Sequence, residues 1–357
     1  MTTLAATLAR FSASIRAAGA ADRPLQIRAG GTKDFYGQSI EGEVLDPRDY
    51  AGIVDYDPSE LVITARTGTR LAELEQAMRE QGQMLACEPP HFGTAATVGG
   101  AVAAGLSGPR RSSAGSLRDF ILGVRVMDGH GNPLTFGGQV MKNVAGYDVS
   151  RVMAGSLGTL GLLLEVSLKT LPLPVAEATL RFEIPEDRAL ERLQQWAGKP
   201  LPISAVVWQG GELAIRLSGA RAAVDAARTK LGGEWLESVA TAQFWLGVRE
   251  QTVPFFATPL AIWRVSVPSS APPLAIPGDQ LIEWGGALRW CVTDADARTI
   301  RSRAAALGGH ATLFRQGDKS VGVFTPLTPA IAGIHRDLKA VFDPHGIFNR
   351  SRLYTDF

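Results

Sequence analysis

Apolar side chains at Leu4, Leu8, Phe11 and Ile15 recur at spacings of four, three and four, which predicts a first helix with one buried face. Pro24 to Arg28 alternates into a short strand and stops at Ala29-Gly30-Gly31-Thr32-Lys33, where adjacent glycines permit backbone geometry that other residues resist. Leu61 to Thr64 reads as a strand, and Leu71, Leu74 and Met78 mark the buried stripe of a helix that ends near Gly82. Glycine is then dense from Gly93 to Gly161, a stretch that includes the strand Ile121 to Met127 and the turn Asp128-Gly129-His130-Gly131.

Beyond Leu171-Pro172-Leu173-Pro174 glycine thins out, and all seven tryptophans fall between Trp196 and Trp290, so a boundary is expected near Pro174. Strand-like runs at Ala178 to Ile184, Ile203 to Trp208, Leu213 to Leu217 and Ala261 to Val267 alternate with helix-like runs at Glu186 to Trp196 and Ala220 to Leu231. The pattern predicts an α+β unit with an antiparallel sheet. Ile334, Leu338 and Val341 predict a last amphipathic helix before Phe342-Asp343-Pro344. The expected organisation is residues 1–174, residues 175–340 and a tail of residues 341–357 that returns to the first domain.

The uncharged run from Phe92 to Pro109 is long enough to raise a membrane helix, but its glycines, Thr94, Thr97, Ser107 and Pro109 make it a poor one, and a ligand loop is the expectation. Arg10 and Arg16 without acidic neighbours give Met1 to Ala20 a superficial likeness to a transit peptide; the apolar periodicity favours an ordinary helix. A net charge of +1 lacks the basic excess that nucleic acid demands. Cys87 and Cys291 stand far apart with no CxxC or Cys/His spacing, which argues against disulfides and a zinc site and for a reducing cytoplasm.

The only GxG, Gly129-His130-Gly131, has Leu134 where a Rossmann fingerprint needs its third glycine, and there is no Walker A sequence. Three glycine stretches remain: Arg28-Ala29-Gly30-Gly31-Thr32, Ala96-Thr97-Val98-Gly99-Gly100, and Gly155 to Gly161. Each alone is as consistent with turns as with a ligand. In this order, with Glu88-Pro89-Pro90, Gly115-Ser116-Leu117-Arg118-Asp119 and Lys142-Asn143-Val144-Ala145-Gly146-Tyr147-Asp148 between them, they resemble the vanillyl-alcohol oxidase and p-cresol methylhydroxylase flavoproteins, in the branch that oxidises 2-hydroxy acids. Phe244-Trp245 with Arg249-Glu250, Pro254-Phe255-Phe256, and Trp284 to Trp290 are similar to the FAD-binding subunits of bacterial glycolate oxidases.

The resemblance implies an α+β fold: a two-part FAD-binding domain of the p-cresol methylhydroxylase type followed by an α+β cap with an antiparallel sheet. It implies FAD between Ala29, Gly30, Gly31, Thr32 and Lys33 on one side of the diphosphate and Thr97, Val98, Gly99 and Gly100 on the other. Gly158, Gly161 and Leu162 would line the adenine end, and Pro89, Ser107, Gly108, Gly115, Ser116 and Gly155 complete the expected cofactor-binding set. Covalent flavins in the family hang from histidine or cysteine; this loop has Lys33 and Asp34, so non-covalent FAD is expected. A hydroxy-acid carboxylate calls for arginine, with Arg249, Arg264 and Arg289 in reach of consideration, Arg249 and Arg289 foremost. Lys142 and Tyr147 are candidates for the flavin edge, and packing serves equally well for Tyr147.

Catalytic members of the branch carry a paired-histidine metal site and a later Glu-His-Gly. Here the five histidines, His91, His130, His310, His335 and His345, include no pair separated by a single residue, so no metal site is expected. The family tail's Asn-Pro-Gly reads Asn349-Arg350-Ser351. Three readings stay open: a second flavin subunit working with a larger flavin subunit and an iron–sulphur subunit, a stand-alone FAD-dependent lactate or glycolate dehydrogenase, and a structural subunit with a relic flavin site. The first implies a cytoplasmic protein, peripheral to the inner membrane at most through its partners. If the aromatic segment meets a partner, some of Trp245, Trp284 and Trp290 should be exposed, together with the loop from Gln251 to Pro259; the alternative is an aromatic-rich core.

Overall fold

The computed structural model describes residues 3–139, 148–236 and 238–356. Thr3 caps the first helix, Leu4–Ala20, by accepting from the Ala6 amide at 3.2 Å. Phe11 and Ile15 are fully buried as the apolar spacing predicts, but Leu4 is 41 % exposed, so the buried stripe runs Thr7, Phe11, Ile15, Ala18. The helix packs against Leu25, Leu45, Ile347 and Phe348.

Strands Ile53–Asp57, Val62–Arg66, Leu162–Lys169, Ile121–Met127 and Pro133–Gly137 form, in that spatial order, an antiparallel five-stranded sheet. Helix Leu71–Glu80 seals it through Leu71, Leu74 and Met78, all within one core with Ile63, Val124 and Val166. A second antiparallel sheet orders Glu234–Leu236, Ala176–Glu183, Glu212–Gly219, Ile203–Gln209, Asp279–Glu283, Leu288–Val292, Ile262–Ser266 and His310–Arg315. One of its faces meets helices Glu186–Ala197 and Arg221–Leu231. The other, with Val207, Leu288, Trp290 and Phe314, packs against Tyr36, Ala104, Leu106 and Leu157 from the first half of the chain.

Three expectations change. The run from Phe92 to Pro109 is not loop throughout: Val98–Ala104 is a helix, capped by Thr97 and closed by Gly105 in the left-handed region. Its small side chains let it lie close to the sheet, with Val98, Ala101 and Val102 buried. No helix among the described residues is long and apolar enough to cross a membrane. The final helix, Pro329–Phe342, leaves Ile334 and Val341 exposed at 54 % and 74 % and buries Lys339 and Phe342 instead. Trp245, Trp284 and Trp290 are buried core residues, each with its indole N–H bonded, to Thr179 Oγ1, the Gly108 carbonyl and Glu283 Oε1 respectively. Trp235, at 58 %, is the exposed tryptophan.

Leu25 donates to the Ile347 carbonyl at 2.7 Å and accepts from the Asn349 amide, so the tail runs beside the Leu25–Ile27 strand. Lys339 fixes it: its ammonium meets Asp343 Oδ2 and the carbonyls of Thr159 and Phe348, all at 2.7 Å, and the Asp343 carboxylate accepts from the Ile347 and Phe348 amides. Removing one partner of a buried pair strands the other. Lys339→Met is therefore expected to destabilise the protein by about 3–5 kcal/mol, read as a lowered denaturant midpoint.

Candidate functional site

The Leu25–Ile27 strand ends where Gly30 crosses the Gly93–Thr97 segment so closely that a Cβ on Gly30 would overlap the Ala95 carbonyl oxygen. Gly31 follows at φ 68°. Through this turn the amides of Ala29, Gly30, Gly31, Thr32 and Lys33 donate to no protein acceptor among the described residues. Consecutive free N–H groups on one concave turn form an anion cradle.

The turn is held from distant positions. Arg352 donates to the carbonyls of Gln38, Lys33 and Asp34. Asn349 bridges the Ile27 amide, at 2.8 Å, to the Leu157 carbonyl, at 2.6 Å. The Lys33 ammonium reaches the His91 carbonyl at 3.2 Å, and Glu250 pins His91 and Phe92 by accepting from both amides. Burial pulls Lys33 down to about 8, with Glu250 acting in the opposite sense.

A cleft of about 580 Å³ opens on the cradle, lined by Ala29, Gly30, Gly31, Thr32 and Lys33, by Thr97 and Gly100, and by Asn349 and Arg352. An adjoining one of about 430 Å³ shares Ala29, Thr97, Gly100 and Leu157 and adds Gly99, Gly158, Gly161 and Leu162. The three glycine stretches thus line two adjoining clefts. Their contributions differ from those the sequence suggests. The amides of Val98 and Gly99 are spent on the carbonyls of Thr69 and Thr67, and the Val98 side chain is core. Gly99 is required by packing, since a Cβ would sit 2.6 Å from Thr67 Cβ, whereas one on Gly100 would meet only Thr97 Oγ1, at 3.2 Å.

The other expected cofactor residues have defined places in the protein. Pro89 is buried and lines neither space. Ser107 Oγ accepts from the Leu117 amide, Gly108 packs on the Glu88 carbonyl, and Ser116 with Asp119 forms a capping box after Gly115. Gly155, at φ 82°, donates to Val102. Lys142 and Tyr147 lie outside the described residues.

Another cleft, of about 910 Å³, is lined by Glu88, Glu177, Arg216 and Arg249 together with Trp235, Trp245 and Leu246. Arg110 and Arg216 both bind Glu88, at 3.4 and 2.9 Å. Burial works to raise that carboxyl, but the two guanidiniums overcome it and hold it below its ordinary range. Arg249 enters this cleft already paired, with Glu250 at 2.8 Å and Glu75 at 3.6 Å. Arg289 is a correction to its proposed substrate role: it is 0 % exposed and donates to the carbonyls of Gly286 and Ala271 beside Glu186, so its guanidinium is structural. Arg264 has no hydrogen bond or ion pair among the described residues. Asn349 and Arg352 were missed by motif reading because they act from the far end of the chain; the sequence signal was the tail's Asn349-Arg350-Ser351.

The fold is of the p-cresol methylhydroxylase type of FAD-binding protein. Residues 2–152 match the family model described as FAD binding domain. Over 333 residues, 93 % of each chain, the sequence is 50 % identical to the glycolate oxidase subunit GlcE of Escherichia coli (strain K12), and the chain belongs to that subunit's family. It is 31 % identical over 128 residues to the glycolate oxidase subunit GlcD of Bacillus subtilis (strain 168), covering 36 % of this chain and 27 % of that one. A D-lactate dehydrogenase of Archaeoglobus fulgidus is 27 % identical over 59 % of this chain and 48 % of its own. An alkyldihydroxyacetonephosphate synthase shares the fold, with a TM-score of 0.66 at 15 % identity over 95 % of this chain and 74 % of that one.

The contrast between neighbouring glycines is testable. Gly99→Ala is expected to lose roughly 1–3 kcal/mol from overpacking, whereas Gly100→Ala, which adds a good helix former facing the cleft, should melt no lower than the unaltered chain. Chemical denaturation of both variants checks the assignment.

Proposed function

We propose that this chain holds FAD non-covalently in the cleft between Gly30, Gly100 and Gly158, as one subunit of an oxidase or dehydrogenase of glycolate or a similar 2-hydroxy acid. Its partners would be a larger flavin subunit and an iron–sulphur subunit, and its role to support electron transfer from oxidation of the acid. We place it in the cytoplasm, with any contact with the inner membrane made through those partners.

The observation that carries the reading is the run of five amides from Ala29 to Lys33 that have no protein acceptor among the described residues, in a turn that lines the cleft. A diphosphate would satisfy donors that are otherwise left unpaired, and the Lys33 ammonium stands beside them. Gly158, Gly161 and Leu162 continue the space with small and apolar surface suited to an adenine ring. FAD, when bound, supplies the electron-accepting chemistry. The protein's own part is to fix the donors: Arg352 and Asn349 hold the turn, and Glu250 orients the carbonyl that receives Lys33.

Purified protein is expected to show the absorbance of oxidised flavin, released entirely on denaturation; a colourless chain that ignores added FAD overturns the reading. A second expectation concerns pH. In the free cleft Lys33 loses its proton near pH 8, and a diphosphate favours the charged form. FAD binding should therefore take up a proton above that pH, and its affinity should fall by up to about tenfold per pH unit as the pH rises from 8 until the raised bound-state value is passed. Titration by flavin fluorescence across that window, with Lys33→Met as a pH-independent reference, measures it.

A further inference from the structure

Two guanidiniums from opposite halves of the chain converge on one indole ring. Arg111, in the short helix after Gly108, lies 4.4 Å from the centroid of the Trp284 ring, and Arg264, on strand Ile262–Ser266, lies 5.2 Å from it. Both side chains are half-buried. Neither makes a hydrogen bond or ion pair among the described residues, although most other buried arginines here are bonded to carboxylates or carbonyls. Burial first, and then repulsion from Arg264, lowers the Arg111 guanidinium below its ordinary value. The Trp284 face offsets part of this cost but does not neutralise two like charges. The ring itself is fixed by its bond to the Gly108 carbonyl at 3.0 Å.

The surroundings limit what can complete the arrangement. Tyr36, at the end of the cradle turn, is 7 % exposed, packs on Phe314 at 5.3 Å and makes no hydrogen bond through its hydroxyl among the described residues. Arg264 acts electrostatically on that hydroxyl and on the Glu283 carboxyl. Glu283 is bonded to Trp290 rather than to either guanidinium. Burial pushes it up to about 7, so near neutrality it cancels only part of the positive charge. Net positive charge remains at the ring, and an anion would complete it.

We infer that Arg111 and Arg264, stacked about Trp284 where the cradle half meets the large sheet, bind the carboxylate of a small monocarboxylic acid. Naming that acid as a 2-hydroxy acid rests on the function proposed above. A planar guanidinium offers paired donors to a carboxylate, and two of them on a fixed aromatic ring orient it.

Isothermal titration of the full FAD-loaded chain with glycolate tests this. One site is expected, weakened at least tenfold in Arg111→Gln and in Arg264→Gln, unaltered in the exposed control Arg221→Gln, and not displaced by inorganic phosphate. If a glutamine variant fails to fold, Arg264→Lys keeps the charge but not the planar fork and should still bind several-fold more weakly. Absence of glycolate binding to the unaltered chain, equal affinity in both folded variants, loss only in Arg249→Gln, or phosphate binding in place of glycolate would each overturn the inference. Flavin absorbance recorded on the same samples separates the two claims: a yellow chain without glycolate binding removes only the anion site, and a colourless chain that binds glycolate removes only the flavin reading.

Discussion

The backbone crossing of Gly30 over Ala95 is the constraint from which the site follows. It presses the turn after the first strand against the segment that leads into the Val98–Ala104 helix, which leaves five successive amides pointing away from any protein acceptor. Residues 29–33 are half-buried and line the cleft, and other groups hold the turn in place. Arg352, Asn349 and Lys319, which bonds the carbonyls of Phe35 and Gly37, all come from late in the chain. The last residues of the chain thus hold the cradle, whose five amides have no protein acceptor among the described residues.

The junction between the two sheets combines apolar contact with charge. Tyr36, Ala104, Leu106 and Leu157 meet the large sheet through a shared aromatic core. Beside that core Glu88 joins Arg110 from its own half to Arg216 from the other, and Glu250 reaches back to the amides of His91 and Phe92. Breaking one member of such a buried set is costly because the remaining charges lose their partners. The same logic makes Arg111 and Arg264 conspicuous: two guanidiniums on one ring that, like Arg315 over Phe35, Phe92 and Phe314, have no carboxylate bonded to them among the described residues.

The tryptophans show how a correct compositional observation can point two ways. Their concentration after Pro174 marks a change of architecture, but Trp245, Trp284 and Trp290 pack inward and use their indole N–H groups as fixed donors. An aromatic-rich core and an aromatic interface have the same composition; the fold decided between them for these three rings.

By itself the sequence determined the elements whose signals are local. The period of Leu71, Leu74 and Met78, the alternation from Ile121 to Met127 and the paired glycines at Gly30 all report backbone preferences set within a few residues. The order of the glycine stretches carried the cofactor class for the same reason, since each stretch is a contiguous motif. Only the tertiary structure decided which glycines face the cleft and which face the core, that Arg289 is spent on carbonyls while Arg264 is not, and that Asn349 and Arg352 complete the cradle. Those outcomes depend on which groups the fold brings together, for Asn349 and Arg352 across more than three hundred residues of chain, and a guanidinium reads identically in sequence whether or not folding supplies it with an acceptor.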